Sequence, residues 1–355
     1  MTDTGARIYT GQGGERVSPM LEGAWDRAEP YLAPESLVHA VNMAIYLRRP
    51  LLLEGEPGCG KTRLAYSIAY ELGLPLIEIY IRSTSRAQDL LYTFDAVRRL
   101  YDIQERAATA ARTLGADATT GPTGASGAPI SAPDGANGAT RANHADLRPY
   151  VRLGELGEAI TRAERGTPSV VLIDEIDKAD IDFPNDLLLV LDRLQFSVAE
   201  VPGWRVDALH GQEREERRDV LPILIITSNR EKELPAPFLR RCLFYYIDFP
   251  AQADLERIVA RHFDRTLSPL FNAALRKFLR LRAQDVFRWR KLPSTSELLD
   301  WMRMLEHDEQ AGRLDAVTLD TTPLPRLPHL EALVKTQSDL EGVSKLPPED
   351  LPAHA

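Results

Sequence analysis

"LLLEGEPGCGKTRLAYSIAYELG", residues Leu51 to Gly73, decides the fold. Three aliphatic residues, Leu51 to Leu53, run without alternation into a turn that carries Gly55, Gly58 and Gly60. An unbroken apolar run predicts a strand covered on both faces. After Lys61 and Thr62, the residues Leu64, Ala65, Ile68, Ala69 and Leu72 recur at helical spacing, and Gly73 predicts the stop. Strand, glycine turn and helix are the repeating unit of a parallel sheet.

Four more short apolar runs extend it: Leu76–Ile81, Val170–Ile173, Ile223–Thr227 and Leu243–Ile247. Helical stretches separate most of them. The order predicts an α/β domain over residues 21–250, three layers around a five-stranded parallel sheet with right-handed crossovers. Upstream, Pro34 to Leu47 reads as a helix with Leu37, Val38, Val41 and Ile45 on one face and Pro34 in its first turn. Beyond Pro250 the pattern turns helical. Leu255, Ile258, Val259 and Phe263 share a face, and Phe271–Leu281 and Ser296–Leu305 follow. Residues 251–340 are therefore expected to be a small all-α domain.

The segments between are read from composition. Residues 1–20, rich in Gly and Thr, are expected to be a flexible lead-in, and 341–355 a flexible Pro-rich tail. Residues 108–145 are nearly all Ala, Gly, Thr, Ser, Pro and Asn, too little apolar surface to offset ordering, and predict a disordered insertion. Ser197 to Leu221 reads as a hairpin whose charge run, Gln212–Asp219, is a solvated surface.

Bulk composition narrows the function. The chain of 355 residues has a formal net charge of -9, a poor balance for a nucleic-acid binder. Its two cysteines, Cys59 and Cys242, form no CxxC pair, and its histidines have no ligand spacing. That argues against a disulfide framework or zinc site and fits a reducing cytoplasm. The N-terminus has no apolar core of the signal-peptide kind, and no run approaches the roughly 18 apolar residues of a membrane span.

The glycine turn fits G-x-x-x-x-G-K-[ST]. Backbone N–H groups at a helix N-terminus are oriented donors for an anionic phosphate chain, and glycines let the backbone wrap it closely. Gly55, Pro57, Gly58, Cys59, Gly60, Lys61, Thr62 and the following Arg63 are the expected nucleotide contacts. Lys61 is expected to reach the β- and γ-phosphates of ATP, and Thr62 to ligate Mg²⁺. Cys59 occupies a free position and reads as filler rather than nucleophile.

Val170 to Ile173 ends in Asp174 and Glu175. At the C-terminal edge of a parallel sheet this pair lands beside the phosphates. Asp174 is expected in the Mg²⁺ shell and Glu175 against the attacking water. Ile225–Ile226–Thr227–Ser228–Asn229 is another apolar strand with a polar end, and Asn229 is the candidate for positioning that water. Arg240 and Arg241 precede the last strand. They are either a solvated helix end or, in a ring of subunits, a group that reaches a neighbour's γ-phosphate.

Over roughly residues 20–305 these motifs resemble the AAA+ ATPases, and within them the MoxR-like family. "GEPGCGKT", "VVLIDEIDKAD", "IITSNR" and "PFLRRCLFYYIDFP" carry the resemblance. It implies that Asp174 and Glu175 are the Walker B pair, Asn229 sensor 1, and Arg241 the arginine finger with Arg240 beside it. Ser197–Leu221 then resembles the hairpin before sensor 1, and Asp89–Leu100 the start of the clade's insertion. The family usually places a sensor 2 arginine in the helical lid. Here "RWRKLPSTSELLDWMR" (Arg288–Arg303) has Ser294, Thr295 and Ser296 at that place, with Arg290 or Lys291 as substitutes. The resemblance further implies a hexameric ring, ATP hydrolysis coupled to chaperone-like remodelling, and a von Willebrand factor A-domain partner. The alternative is an ATP-dependent switch or scaffold with little turnover.

Overall fold

The computed structural model describes residues 8–12, 31–116 (side chains to 109), 146–263, 266–285 and 287–347. In chain order, α1 (Glu35–Leu47), β1 (Leu51–Gly55), α2 (Lys61–Leu72) and β2 (Leu76–Tyr80) come first. Then come β3 (Tyr92–Phe94), α3 (Ala96–Ala116), β4 (Val151–Leu153), α4 (Glu155–Glu164) and β5 (Val170–Asp174). α5 (Phe183–Arg193), β6 (Gln195–Ser197), β7 (Arg205–Asp207), β8 (Ile223–Ser228), α6 (Ala236–Arg241) and β9 (Leu243–Ile247) complete the sheet region. The rest is helical: α7 (Gln252–His262), α8 (Pro269–Arg282), α9 (Thr295–Gln310), α10 (Ala316–Thr321), α11 (Leu330–Leu333) and α12 (Gln337–Ser344).

The five expected strands form one parallel sheet in the order β2-β5-β8-β1-β9. Side chains alternate between its faces. Leu51, Leu53, Val170, Leu172, Ile223 and Ile225 pack under α1 and α2. Leu52, Val171, Ile173, Leu224 and Ile226 pack with Leu156, Ile160, Leu187 and Leu191 of α4 and α5. Both faces being covered is why these strands read as unbroken apolar runs. A separate core fills the C-terminal helices around Phe271, Phe278, Leu298 and the fully buried Trp301, whose indole N–H donates to the Pro328 carbonyl at 2.7 Å.

Several expectations change. Residues 8–12 lie inside the stretch read as a flexible lead-in, yet they are seated on the fold. Tyr9 is fully buried. Its N–H donates to Asn42 Oδ1 at 2.9 Å, its hydroxyl pairs with Ser67 Oγ at 2.8 Å, and the N–H groups of Thr10 and Gly11 meet the Glu71 carboxylate. One aromatic residue among glycines has no periodicity to reveal it. α3 continues to Ala116, into the stretch read as an insertion from 108, because alanine is the best helix former. The remainder, 117–145, lies outside the described residues. At the other end, Val343 and Leu346 are buried in the helical core, inside the expected tail. Pro34 stands at the N-cap of α1, one position before the first turn.

The hairpin is shorter and earlier than Ser197–Leu221: β6 and β7 pair Phe196 with Val206. The charge run beyond it is not simply solvated. Arg214 donates to the carbonyls of Arg48, Leu191 and Asp192, and Arg217 to those of Ala208 and Ala163. These guanidinium groups donate to carbonyls at or next to element ends.

Candidate functional site

The glycine turn joins β1 to α2. Gly58 (φ 76°) and Gly60 (φ 97°) occupy left-handed backbone that other residues resist. A Cβ on Gly58 would also stand 2.5 Å from the Ser294 Cβ, so the helical lid lies directly against the turn. Lys61, nearly buried, donates Nζ to the carbonyls of Gly55 at 2.8 Å and Glu56 at 3.0 Å. The thiol of Cys59 is buried and pushed above its usual range by that burial, then moderated by Lys61, which suits filler and not a nucleophile. Arg63 stacks over Tyr66 at 5.6 Å.

The sheet brings the two acids to the turn. Thr62 Oγ1 donates to Asp174 Oδ1 at 3.1 Å, although 112 residues separate them. Thr227, at the end of β8 next to β5, donates to Asp174 Oδ1 at 2.5 Å and accepts the Glu175 N–H at 2.9 Å. Glu175 has left-handed backbone (φ 58°), a strained conformation for a residue with a side chain. It turns the chain sharply off β5. Its carboxylate accepts from Asn229 Nδ2 at 3.0 Å and from Lys178 Nζ. That hydrogen bond holds the Lys178 ammonium above its usual range, so it stays charged. Asp177, 2% exposed, accepts the N–H groups of Asn229 at 3.1 Å and Glu231 at 2.8 Å and so fixes the loop that carries Asn229.

Lys61, Thr62, Asp174, Glu175 and Asn229 thus meet at one end of the sheet. Thr227, Asp177 and Lys178 were not singled out in the sequence. A polar residue inside an apolar strand end was the only signal for Thr227; a hydroxyl fully buried at 1% exposure needs a partner.

Above the turn, a cleft of about 780 Å³ opens between the sheet region and the helical lid. Tyr31, Gly60, Tyr245, Phe249, Thr295 and Arg303 are among its walls, and its size suits a nucleotide. Arg290 and Lys291 do not line it. Their N–H groups are held by Asp339 at 2.7 and 3.1 Å, and the Lys291 ammonium pairs with Glu297 at 2.8 Å. Among the described residues, a lid arginine that does touch the turn is Arg282, bonded to Glu56 at 2.8 Å.

Arg240 and Arg241 end α6 away from this cleft. They line a second, separate hollow of about 460 Å³ with Arg48, Arg49, Arg214 and Asp192. Arg49 donates to the carbonyls of Arg240, Arg241 and Cys242, which pins the end of α6. Arg241 is half exposed and ion-paired with Asp192 of α5.

The family model "AAA domain (dynein-related subfamily)" matches residues 50–242, from the residue before β1 to the residue after α6. The chain belongs to this AAA family. Its motifs are MoxR-like, as the sequence implies. Over 52 residues it is 46% identical to Protein CbbQ of Allochromatium vinosum, a stretch covering 70% of that sequence and 14% of this one. Among solved structures it is similar to a RuvB mutant of Thermotoga maritima, with TM-score 0.45, 15% identity, and coverage of 82% of this chain and 70% of that one. A second RuvB mutant matches with TM-score 0.42 and 15% identity, covering 80% of this chain and 65% of that one. An AAA domain is a binding fold for ATP, typically with Mg²⁺. Among the described residues no helix of this AAA protein is long and apolar enough to cross a membrane.

Proposed function

We propose that this AAA protein hydrolyses Mg·ATP and couples the cycle to remodelling of a partner protein. The observation that carries the reading is the grip on Glu175: Asn229 and Lys178 hold its carboxylate, and its N–H is bonded to the Thr227 hydroxyl that also donates to Asp174. Two donors keep this carboxylate ionised and oriented, and once Lys178 is drawn off, the freed oxygen can orient a water and take its proton; a chain that only bound nucleotide would need no such acid. Thr62 and Asp174 are the residues that would hold Mg²⁺, a hydroxyl and a carboxylate already 3.1 Å apart. When bound, the ion neutralises charge on the phosphates. Lys61 binds the phosphate chain, and the turn's N–H groups orient it. On this reading residues 21–250 bind nucleotide and 251–340 form the lid.

Assembly as a hexameric ring belongs to the same proposal. Arg241 sits outside the cleft of its own chain, is half exposed, and projects from a pinned helix end, which suits a group offered to a neighbour's γ-phosphate. The family resemblance supplies the partner class, a von Willebrand factor A-domain protein.

The test is phosphate release at saturating Mg·ATP, with and without Glu175→Gln, alongside light scattering. Turnover lost in the variant and an ATP-dependent rise to about six subunits support the proposal. Negligible turnover in the unaltered chain would favour a nucleotide switch that only recruits a partner. That Arg290 and Lys291 do not line the cleft, Lys291 being paired with Glu297, is the observation that keeps that second reading.

A further inference from the structure

Arg282 closes the last turn of α8 and is nearly buried, with its side chain 12% exposed. Its guanidinium makes three contacts at once. Nη2 donates to Glu56 Oε2 at 2.8 Å, Nη1 to the Pro293 carbonyl at 2.5 Å, and the cation lies 3.5 Å from the centre of the Phe249 ring. The residue after Pro293 is Ser294, which caps α9 and stands against Gly58. Arg282 therefore ties the start of α9 to the glycine turn.

Glu56 is held from its other side. Its carbonyl accepts Lys61 Nζ at 3.0 Å while its carboxylate accepts Arg282. Lysine has three N–H donors, and Lys61 commits two of them to Gly55 and Glu56. Contacts to two phosphate groups require at least one of those to be released. Release of the longer one, at the Glu56 carbonyl, removes a charge-assisted acceptor bond from that peptide and leaves it free to turn. Its carboxylate is bonded to Arg282, so a turn of this peptide pulls on that pair. A nearly buried guanidinium would lose its carboxylate and keep only the Pro293 carbonyl and the Phe249 face, which is costly, so the lid moves with it.

We propose that the Glu56–Arg282 pair transmits phosphate occupancy at Lys61 to the helical lid. Arg282 is a positioning residue here; it acts on the turn through Glu56 and on α9 through Pro293. The proposal rests on the reading that the turn holds ATP. It also supplies a lid arginine in a chain that has Ser294, Thr295 and Ser296 where the sequence resemblance places one.

The experiment uses the full chain in a Glu175→Gln background, so that bound ATP persists. Equilibrium binding of a fluorescent ATP analogue with Mg²⁺ is measured together with hydrogen exchange of the amides of residues 294–299, with and without ATP. In the background chain, ATP should change exchange at these amides. Adding Glu56→Gln keeps the shape and the carbonyl but removes the charge. ATP should still bind, weakened roughly tenfold or less, and the exchange response should be lost. Glu56→Asp, which keeps a carboxylate, should restore part of it; a merely structural role would lower stability and leave the response in place. If Glu56→Gln binds no ATP, the same readings on Arg282→Lys decide, because that change leaves the turn's own residues intact. An undiminished response in the variant that binds overturns the proposal. Failure of the background chain to bind ATP overturns the ATP reading and this inference with it.

Discussion

Asn229 Nδ2 donates to Glu175 Oε1 at 3.0 Å, joining the ends of β8 and β5. Lys178 takes the second carboxylate oxygen of Glu175, and Asp177 fixes the backbone beneath Asn229. The acid is thereby held by two donors, one of them carried on a fixed loop. If it serves as the base, Glu175→Gln should lower kcat about 10²-fold or more, with ATP binding retained. Asn229→Ala should lower kcat less, about tenfold, because Lys178 still holds the carboxylate. Asp177→Asn should act like Asn229→Ala, since one loop carries both effects. Steady-state phosphate release with a separate binding titration checks all three; an unchanged kcat in Glu175→Gln would remove the base from the reading.

Arg241 and the glycine turn lie in different hollows of the same chain. If Arg241 completes a neighbour's site, Arg241→Ala alone should bind ATP and hydrolyse it about 10³-fold more slowly. The sharper test is mixing. A chain with Arg241→Ala keeps Glu175, and a chain with Glu175→Gln keeps Arg241, so mixed rings contain some complete sites. Activity should appear on mixing two inactive variants, and a mixture that stays inactive would sink the shared-site idea. Asp192→Asn frees Arg241 from an exposed ion pair and should change stability by less than about 1 kcal/mol.

The sheet was legible because a strand covered on both faces needs an apolar run, which β1, β5 and β8 have; the edge strands β2 and β9 are only partly buried, and β2 carries Glu78 within its run. That the glycine turn and the acids at the end of β5 would meet was legible because both stand at the C-terminal ends of strands in one parallel sheet. Three features were not. Thr227 hides as the fifth residue of β8, with nothing to distinguish a buried hydroxyl bonded to Asp174 from a plain strand end. The lid contact at Glu56 joins residues 226 apart, which no local pattern records. Arg214 and Arg217 look like surface charge because their partners are main-chain carbonyls, which every sequence carries alike.

Acid should loosen the helical lid. Among the described residues, the carboxylates held below their usual range are all in that region. Asp308 is held down by the His329 hydrogen bond and then by Arg313, and Asp315 by the Thr318 N–H. Burial pushes Asp339 up, but the N–H of Arg290, the Thr336 hydroxyl and the N–H of Lys291 outweigh it and leave it low. A depressed folded value means that the unfolded lid takes up protons first. The stability these groups give is present above the unfolded carboxylate value of about 3.9 and is lost as pH falls through the folded values. The urea midpoint should therefore drop between about pH 5 and about pH 3. Asp339→Asn should lower the midpoint at neutral pH and make the acid drop smaller, since one contributor no longer titrates. An acid limb as steep as in the unaltered chain would show that Asp339 has no part in it.

Tyr9 gives the most direct test of the N-terminal segment. It is fully buried against α1 and α2, the helix that starts at Lys61, and both its main chain and its hydroxyl are bonded there. Tyr9→Ala removes a buried aromatic ring and should cost about 3 kcal/mol or more. Tyr9→Phe keeps the ring and loses only the bond to Ser67 Oγ, so it should cost about 1 kcal/mol. The difference between the two variants isolates packing from hydrogen bonding, and urea midpoints measure both. Because Glu71 accepts from Thr10 and Gly11 on the same helix, Tyr9→Ala should also speed hydrogen exchange along α2. A segment that merely trails from the domain would move neither the midpoint nor the exchange, so an unshifted Tyr9→Ala variant would overturn the docked arrangement.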